Sequence, residues 1–283
     1  MGKKLKGEAA FDAFYAEIYQ DRWAKLRASL SEDIQKIPRV HREVIENPYF
    51  RDSYFSNSEP QKEVYYMDLA SIIAAKCLGV KPGETVLDMC AAPGGKSLIL
   101  VEDLFPNGLS DSEGEIWLNE YSTPRKERLK RTIVQYEGEF HPKLYVKNFD
   151  GAQIGIHNPD YFDRILLDAP CSSEEHLIKK PEYLSEWKES RTKHLSKKQY
   201  GLLCSALIAC KKGGRILYST CSLSPFENDG VIEKLSKKKG DEFKLISPPE
   251  EVIKQTEPTE WGYQILPDKF HMGPFYFSLL EKI

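Results

Sequence analysis

Three short apolar runs, each ending in a loop of reactive side chains, constrain this chain most. Thr85 to Leu87 opens into Asp88-Met89-Cys90-Ala91-Ala92-Pro93-Gly94-Gly95-Lys96. Arg164 to Leu167 opens into Asp168-Ala169-Pro170-Cys171-Ser172-Ser173, and Arg215 to Tyr218 into Ser219-Thr220-Cys221-Ser222. Runs this short and apolar read as buried strands. Helical patterns separate them, and alternating strands and helices build a parallel α/β sheet covered on both faces. Such sheets bind their ligands beyond the carboxyl ends of the strands. The glycine-containing loop and two thiols therefore share one rim.

The rest of the chain fits this frame. Apolar residues at Phe11, Phe14, Ile18, Trp23, Leu26 and Leu30 predict an amphipathic helix over 9–30, and a short helix is expected at 33–37, before Pro38. Residues 47–62, rich in Asn, Ser, Pro and aromatics, read as a winding connection. Residues 1–62 are thus expected to be a small helical N-terminal appendage, and 63–283 the main domain. In the latter, helices are expected at 64–78, 95–104, 124–136, 180–210 (interrupted near Leu195-Ser196) and 227–238. Strands are expected at 85–88, 115–119, 143–147, 164–167, 215–219, 242–246 and 274–281. The lysines at 237–239 read as a solvated helix end.

Bulk properties narrow the function classes. No run among the 283 residues approaches the ~20 apolar residues of a membrane span. The basic N-terminus has no apolar signal core behind it, and Glu8, Asp12, Glu17 and Asp21 do not fit an acid-poor presequence. A soluble intracellular, cytoplasmic setting is the expectation. Six cysteines, at 77, 90, 171, 204, 210 and 221, form no Cys-x-x-Cys pair, so reduced thiols rather than a metal site or disulfide scaffold are expected. Cys77 and Cys204 fall on apolar helical faces and read as core. The formal net charge is −3, so any nucleic-acid contact has to be local, weak or helped by a partner.

The strand ends also carry binding chemistry. Gly94-Gly95 leaves backbone free of side chains, which allows close approach of a ligand. Neither the Gly-x-Gly-x-x-Gly fingerprint nor the Walker loop is present. Glu120 closes the second strand, where a carboxylate accepts hydrogen bonds from ribose hydroxyls. Asp150, after the third, is placed to hold an adenine amino group. Between 179 and 198 stand seven basic and three acidic residues, with Tyr183 and Trp187 among them. Such a stretch tracks a phosphate backbone with aromatics stacking on bases, or is a solvated helix face.

From about residue 63 to 283 the chain resembles the Nop/Sun (Fmu-type) family of S-adenosylmethionine-dependent RNA cytosine-5 methyltransferases. The residues carrying the resemblance are Asp88-Met-Cys90-Ala-Ala-Pro-Gly-Gly-Lys96-Ser, Asp168-Ala-Pro-Cys171-Ser-Ser, Lys198-Gln199, Gly213-Gly214 and Ser219-Thr-Cys221-Ser-Leu-Ser-Pro-Phe-Glu227-Asn228. The resemblance implies a Rossmann-like, seven-stranded methyltransferase sheet. It implies S-adenosylmethionine on Cys90, Ala91, Ala92, Pro93, Gly94, Gly95, Lys96, Glu120, Arg125, Asp150 and Asp168. It also implies Cys221 as the nucleophile that adds to carbon 6 of cytosine, with Cys171 as the thiol assisting product release. Asp168 would steady the ring nitrogen and amino group, and Lys96 would contact the base. Met67-Asp68 stands where relatives often carry Gln-Asp. Met272-Gly273-Pro274-Phe275-Tyr276-Phe277 stands where many have Asp-Gly-Phe-Phe. That ending and Ser172-Ser173-Glu174-Glu175-His176 resemble the mitochondrial ribosomal-RNA branch.

The function so implied is methyl transfer to carbon 5 of a cytosine in structured RNA, ribosomal RNA first. A partner protein that supplies RNA affinity fits the charge balance; no membrane and no metal are expected. The alternatives are a catalytically silent RNA-binding or ribosome-assembly factor, transfer RNA as the substrate, or a small-molecule methyltransferase.

Overall fold

Alternating side chains along the strands divide the interior into two layers, as a period of two requires. On β3 (Thr85–Asp88) Val86 faces one apolar layer and Leu87 the other. On β6 (Phe162–Asp168) Leu166 faces the first layer, and Ile165 and Leu167 the second. On β7 (Cys210–Thr220) Leu217 faces the first, and Ile216 and Tyr218 the second. All of these side chains are fully buried, each contributing on the order of 1.5–3 kcal/mol for the larger aliphatics. The computed structural model that reveals this describes residues 5–40, 48–50, 64–109, 113–138 and 142–283.

The parallel part of the sheet adds β4 (Glu115–Asn119) and β5 (Leu144–Lys147) beside β3, with β6 and β7 on its other side. The order β5-β4-β3-β6-β7 reverses direction of travel at β3/β6, which opens a crevice at the carboxyl ends of these two strands. β11 (Phe275–Lys282) runs antiparallel to β7. Its outer edge is shared by β10 (Tyr263–Ile265) near its start and β8 (Phe243–Leu245) near its end, with β9 (Glu257–Pro258) beyond β10. The Rossmann-like class is the one expected. Among the described residues, the sheet has nine strands where seven were expected, because its outer edge is divided among three short ones.

The first layer is closed by α3 (Leu69–Cys77), α4 (Gly95–Leu104) and α5 (Thr123–Glu137). The second is closed by α6 (Gly151–His157), α9 (Glu189–Ala209) and α10 (Asp229–Lys239). Among the described residues, no helix is long and apolar enough to cross a membrane.

Several local expectations need correction. The helix expected over 9–30 is two helices, α1 (Gly7–Tyr19) and α2 (Trp23–Ser31), separated by a 3₁₀ turn at Gln20–Arg22. Arg22 in that turn forms a fork on Asp268, at 2.7 and 2.8 Å, and reaches Glu257 at 2.7 Å, so a tertiary tie fixes the bend. Residues 33–37 form no helix; Ile37–Val40 is β1, paired antiparallel with β2 (Val64–Met67). β2 replaces the first turn of the helix expected at 64–78: Val64, Tyr65 and Tyr66 favour a strand. Asp68 then caps α3 by accepting from the Ala70 N–H at 2.9 Å. The connection expected over 47–62 lies outside the described residues except for 48–50.

The expected 180–210 helix breaks earlier than Leu195-Ser196. α7 (Glu174–Ile178) and α8 (Pro181–Leu184) precede the break, and α9 runs unbroken through 195–196. α1 and α2 do not stand apart from this region. Phe11, Tyr15, Trp23, Leu26 and Leu30 share one buried cluster with Leu177, Leu184, Trp187, Leu223 and Leu266.

Candidate active site

The crevice holds two adjoining cavities that meet at Cys90. The larger, about 480 Å³, is lined by Glu120, Arg125 and Asp150 from the loops after β4 and β5, and by Pro170, Lys198 and Leu202. The smaller, about 200 Å³, is lined by Asp88, Ala91, Ala92, Pro93, Gly95, Lys96 and Asp168, with Tyr65 and Asp68 from the β2–α3 corner. All the residues expected to hold a cofactor line one or other cavity except Gly94.

Gly94 lies outside both linings and is constrained by packing. It caps α4 with φ of 116°, and a Cβ there would stand 3.0 Å from Thr132 of α5. A Cβ at Gly95 would stand 2.7 Å from the Tyr65 ring. The glycine pair therefore lets the loop turn and pack against β2 and α5.

Carboxylates with spare hydrogen-bonding capacity line both cavities. Glu120 is buried; its Oε1 accepts from the Ser122 N–H at 2.8 Å, and its Oε2 faces Arg125 at 3.3 Å without a hydrogen bond. Arg125 also donates to the Ala92 carbonyl at 2.8 Å, joining Glu120 to the glycine loop. Asp150 is exposed and accepts from the Ala152 N–H at 3.0 Å, capping α6. Asp88 is fully buried, with Oδ2 held by Ser97 at 2.7 Å and Oδ1 free of any partner. Burial pushes its pKa up to about 7. Burial also raises the Cys90 thiol above its ordinary range.

Lys96 and Asp168 meet at 2.9 Å, and the other Asp168 oxygen accepts from Ser219 Oγ at 2.9 Å. Lys96 Nζ lies 5.2 Å from the centre of the Phe275 ring. Burial works against its charge, but Asp168, with Cys221 and Asp88, raises the pKa above the ordinary lysine value.

The two thiols stand side by side. Cys171 Sγ lies 3.1 Å from Cys221 Sγ, and Ser173 Oγ lies 3.1 Å from Cys221 and 3.5 Å from Cys171. The parallel pairing of β6 and β7, with Asp168 opposite Ser219, brings the two loops into register. The hydrogen bond to Cys221, added to burial, raises the Cys171 pKa well above the ordinary thiol value. Either sulfur can donate across this contact.

Behind them lies a buried polar layer that the sequence reading left without a role. Glu174, fully buried, accepts from Tyr15 of α1 at 2.7 Å, from the Leu223 N–H at 2.9 Å and from Ser172 Oγ. Glu227, also fully buried, accepts from the Ser172 N–H at 3.0 Å, Gln199 Nε2 at 2.8 Å and Ser222 Oγ at 3.2 Å. Burial, reinforced by Glu174, pushes the Glu227 pKa up to about 7. Asn119 is a further missed residue. Its side chain bonds the Met89 and Phe149 carbonyls, each at 3.1 Å, and the Phe149 N–H at 2.8 Å, tying the ends of three strands together. Its place at the end of an expected strand was the available signal.

The basic stretch at 179–198 divides. Trp187 is 3% exposed and packs against Phe11 and Phe14, so it is core and does not stack on bases. Tyr183 is exposed and stacks on His176. Lys188, Arg191, Lys193, Lys197 and Lys198 are exposed along the start of α9.

Comparison with known proteins agrees with this architecture. Residues 75–281 match the family described as 16S rRNA methyltransferase RsmB/F. The chain is 38% identical over 177 residues to 5-cytosine rRNA methyltransferase NSUN4 of Bos taurus, covering 60% of this chain and 44% of that protein. It is 35% identical over 235 residues to the mitochondrial tRNA (cytosine(34)-C(5))-methyltransferase of Danio rerio, covering 78% of this chain and 61% of that one. The chain thus spans about half the length of these relatives. The structure of NSun6 from Pyrococcus horikoshii with SFG is similar with a TM-score of 0.65 and 25% identity, over 77% of this chain and 53% of that one.

Proposed function

The chain belongs to the 16S rRNA methyltransferase RsmB/F family, and from that premise we propose that it methylates carbon 5 of a cytosine in structured RNA, with ribosomal RNA as the substrate. The observation that carries this reading is the 3.1 Å contact between Cys171 and Cys221 beside the Lys96–Asp168 pair. A small-molecule methyltransferase has no need of two adjacent thiols at this rim.

The residues of the crevice fit S-adenosylmethionine. Buried Glu120 Oε2 and Asp88 Oδ1 are acceptors without hydrogen-bond donors, which an amino-acid and ribose ligand would satisfy. Glu120 would hold the ribose and Asp150 the adenine amino group. The amino-terminal end of α4 at Gly95-Lys96 would favour the ligand's carboxylate. When bound, S-adenosylmethionine supplies the electrophilic methyl group.

Carbon 5 of cytosine is a weak nucleophile until a thiolate adds to carbon 6. Cys221 Sγ forms that bond, and the electron pair of the 5,6 double bond moves toward carbon 5 and the ring. Asp168 and Lys96 give up part of their mutual contact to hold the ring nitrogen, amino group and carbonyl. After carbon 5 has been methylated, a base takes its proton. The carbon–sulfur bond breaks, the double bond re-forms, and the electron pair returns to Cys221. Cys171 stands 3.1 Å from the sulfur that must leave. The cytosine has to leave its stack to reach the thiols, at a cost of about a few kcal/mol. A partner protein adds RNA affinity that a chain of net charge −3 does not supply over its whole surface.

The test pairs a cellular and a chemical measurement. Bisulfite sequencing of RNA from cells with and without the gene should reveal a protected ribosomal cytosine that loses protection in its absence. Protection lost in transfer RNA would reassign the substrate, and no loss in either would sink the reading. In vitro, Cys221→Ala should abolish methyl transfer. Cys171→Ala should methylate but retain RNA as a covalent complex through denaturing electrophoresis. The opposite pattern would exchange the two roles.

A further inference from the structure

Four motif residues have no part in the chemistry above: Gln199, Glu227, Asn228 and Thr220. They form two closed hydrogen-bonded loops, one around each cysteine. Gln199 Nε2, on α9, donates to the Pro170 carbonyl at 2.9 Å and to Glu227 Oε2 at 2.8 Å. The same Glu227 oxygen accepts from the Ser172 N–H at 3.0 Å. The peptide groups on both sides of Cys171 are thereby held by Gln199 and Glu227, which also hold each other. Asn228 spans Cys221 less directly, through the Thr220 side chain and the Ser222 carbonyl. Its Oδ1 accepts from Thr220 Oγ1 at 2.6 Å and its Nδ2 donates to the Ser222 carbonyl at 2.8 Å. Ser172 Oγ and Ser222 Oγ, 2.9 Å apart, join the two loops.

Gln199, Glu227 and Thr220 are fully buried and Asn228 is 6% exposed. In a dry setting such bonds hold geometry tightly, since a broken partner leaves an unsatisfied polar group. Glu227 and Asn228 are consecutive on one short segment that leads into α10. One dipeptide therefore fixes the spacing of two sulfurs that belong to different strands.

We infer that Gln199 and Glu227 are positioning residues for Cys171 and Asn228 is the positioning residue for Cys221, so neighbouring residues govern different steps of the reaction. This rests on the thiol roles proposed above. Loosening the Gln199–Glu227 loop moves Cys171 relative to the departing sulfur and slows release. Loosening the Asn228 loop moves the nucleophile and slows adduct formation. A displacement of the order of 1 Å costs about 10²-fold in a well-aligned step.

The experiment follows tritium-labelled S-adenosylmethionine with total RNA from cells lacking the gene as the probe. It scores methyl label in free RNA and label retained on protein after denaturation. Gln199→Leu removes both donated bonds, and the milder Gln199→Asn shortens the side chain by one methylene. Both are compared with Asn228→Ala, Cys171→Ala and the parent, and thermal melting identifies the variants that remain folded. The Gln199 variants should retain label on protein as Cys171→Ala does, with turnover lowered tenfold or more. Asn228→Ala should slow the first transfer without retained label. Retention by Cys171→Ala but not by either Gln199 variant overturns the inference and leaves the thiol roles standing. Equal slowing of both steps in the Gln199 and Asn228 variants also overturns it, since that is the mark of general loosening. Absence of retained label from Cys171→Ala overturns the thiol roles and the inference together.

Discussion

A buried carboxylate oxygen without a hydrogen-bond donor can take one from a ligand, and Glu120, ion-paired with Arg125 at 3.3 Å, has one such oxygen. One of its oxygens is held by the Ser122 N–H, and the other has no hydrogen bond. Glu120→Ala should therefore weaken S-adenosylmethionine binding in calorimetry. Charged hydrogen bonds are worth about 1.5–3 kcal/mol each, so the loss should reach at least about tenfold. Gly94→Ala should behave differently. Its φ of 116° and its closeness to Thr132 make it a packing position, so the melting temperature should fall more than the affinity. An unchanged affinity in Glu120→Ala, with the fold intact, would remove Glu120 from the cofactor site. At this scale the cofactor-binding residues read from the sequence line the two cavities, apart from Gly94. Gly94, read as leaving backbone free for a ligand, also packs against α5.

Among the elements, α9 has two duties along its length. Its buried half packs Leu203, Ala206 and Leu207 into the second apolar layer and sends Gln199 to the thiol loops. Its opening turns carry exposed cations beside the larger cavity, where Leu195 and Lys198 form part of the wall. Replacing Lys188, Arg191 and Lys193 together with alanine should weaken RNA binding. The slope of log affinity against log salt should fall by about 2 for three lost phosphate contacts. Binding and slope equal to the parent would make this a solvated face. Lys193 already has Glu189 one turn away, an exposed pair that RNA has to displace. The aromatic side of α1 is buried, and its Tyr15 hydroxyl supports Glu174 beneath the thiols.

Across the whole molecule, the two buried carboxylates tie folding to pH. Asp88 and Glu227 have folded-state pKa values near 7, above their ordinary values of 3.8 and 4.5. Between those limits the folded chain holds more protons than the unfolded one, so stability is lost as pH rises through about 7. Asp88→Asn and Glu227→Gln remove one titration each. Relative to the parent, their melting temperatures should gain as pH goes from 5 to 8; a constant difference across that range would disprove the coupling. The sequence by itself determined the alternation of strands and helices, the family, and the strand-end loops that line the crevice. These are local matters: apolar runs of strand length, and short motifs whose spacing is independent of the rest of the chain. Tertiary structure decided what depends on distant partners. Gln20–Arg22 bends because Arg22 reaches Asp268 and Glu257. Ile37–Val40 is a strand because Val64–Met67 pairs with it. Trp187 is core because α1 covers it. The pairing of the two thiols is of the same kind. Both follow strands in similar settings, and only the fold places one sulfur 3.1 Å from the other, with Gln199, Glu227 and Asn228 behind them.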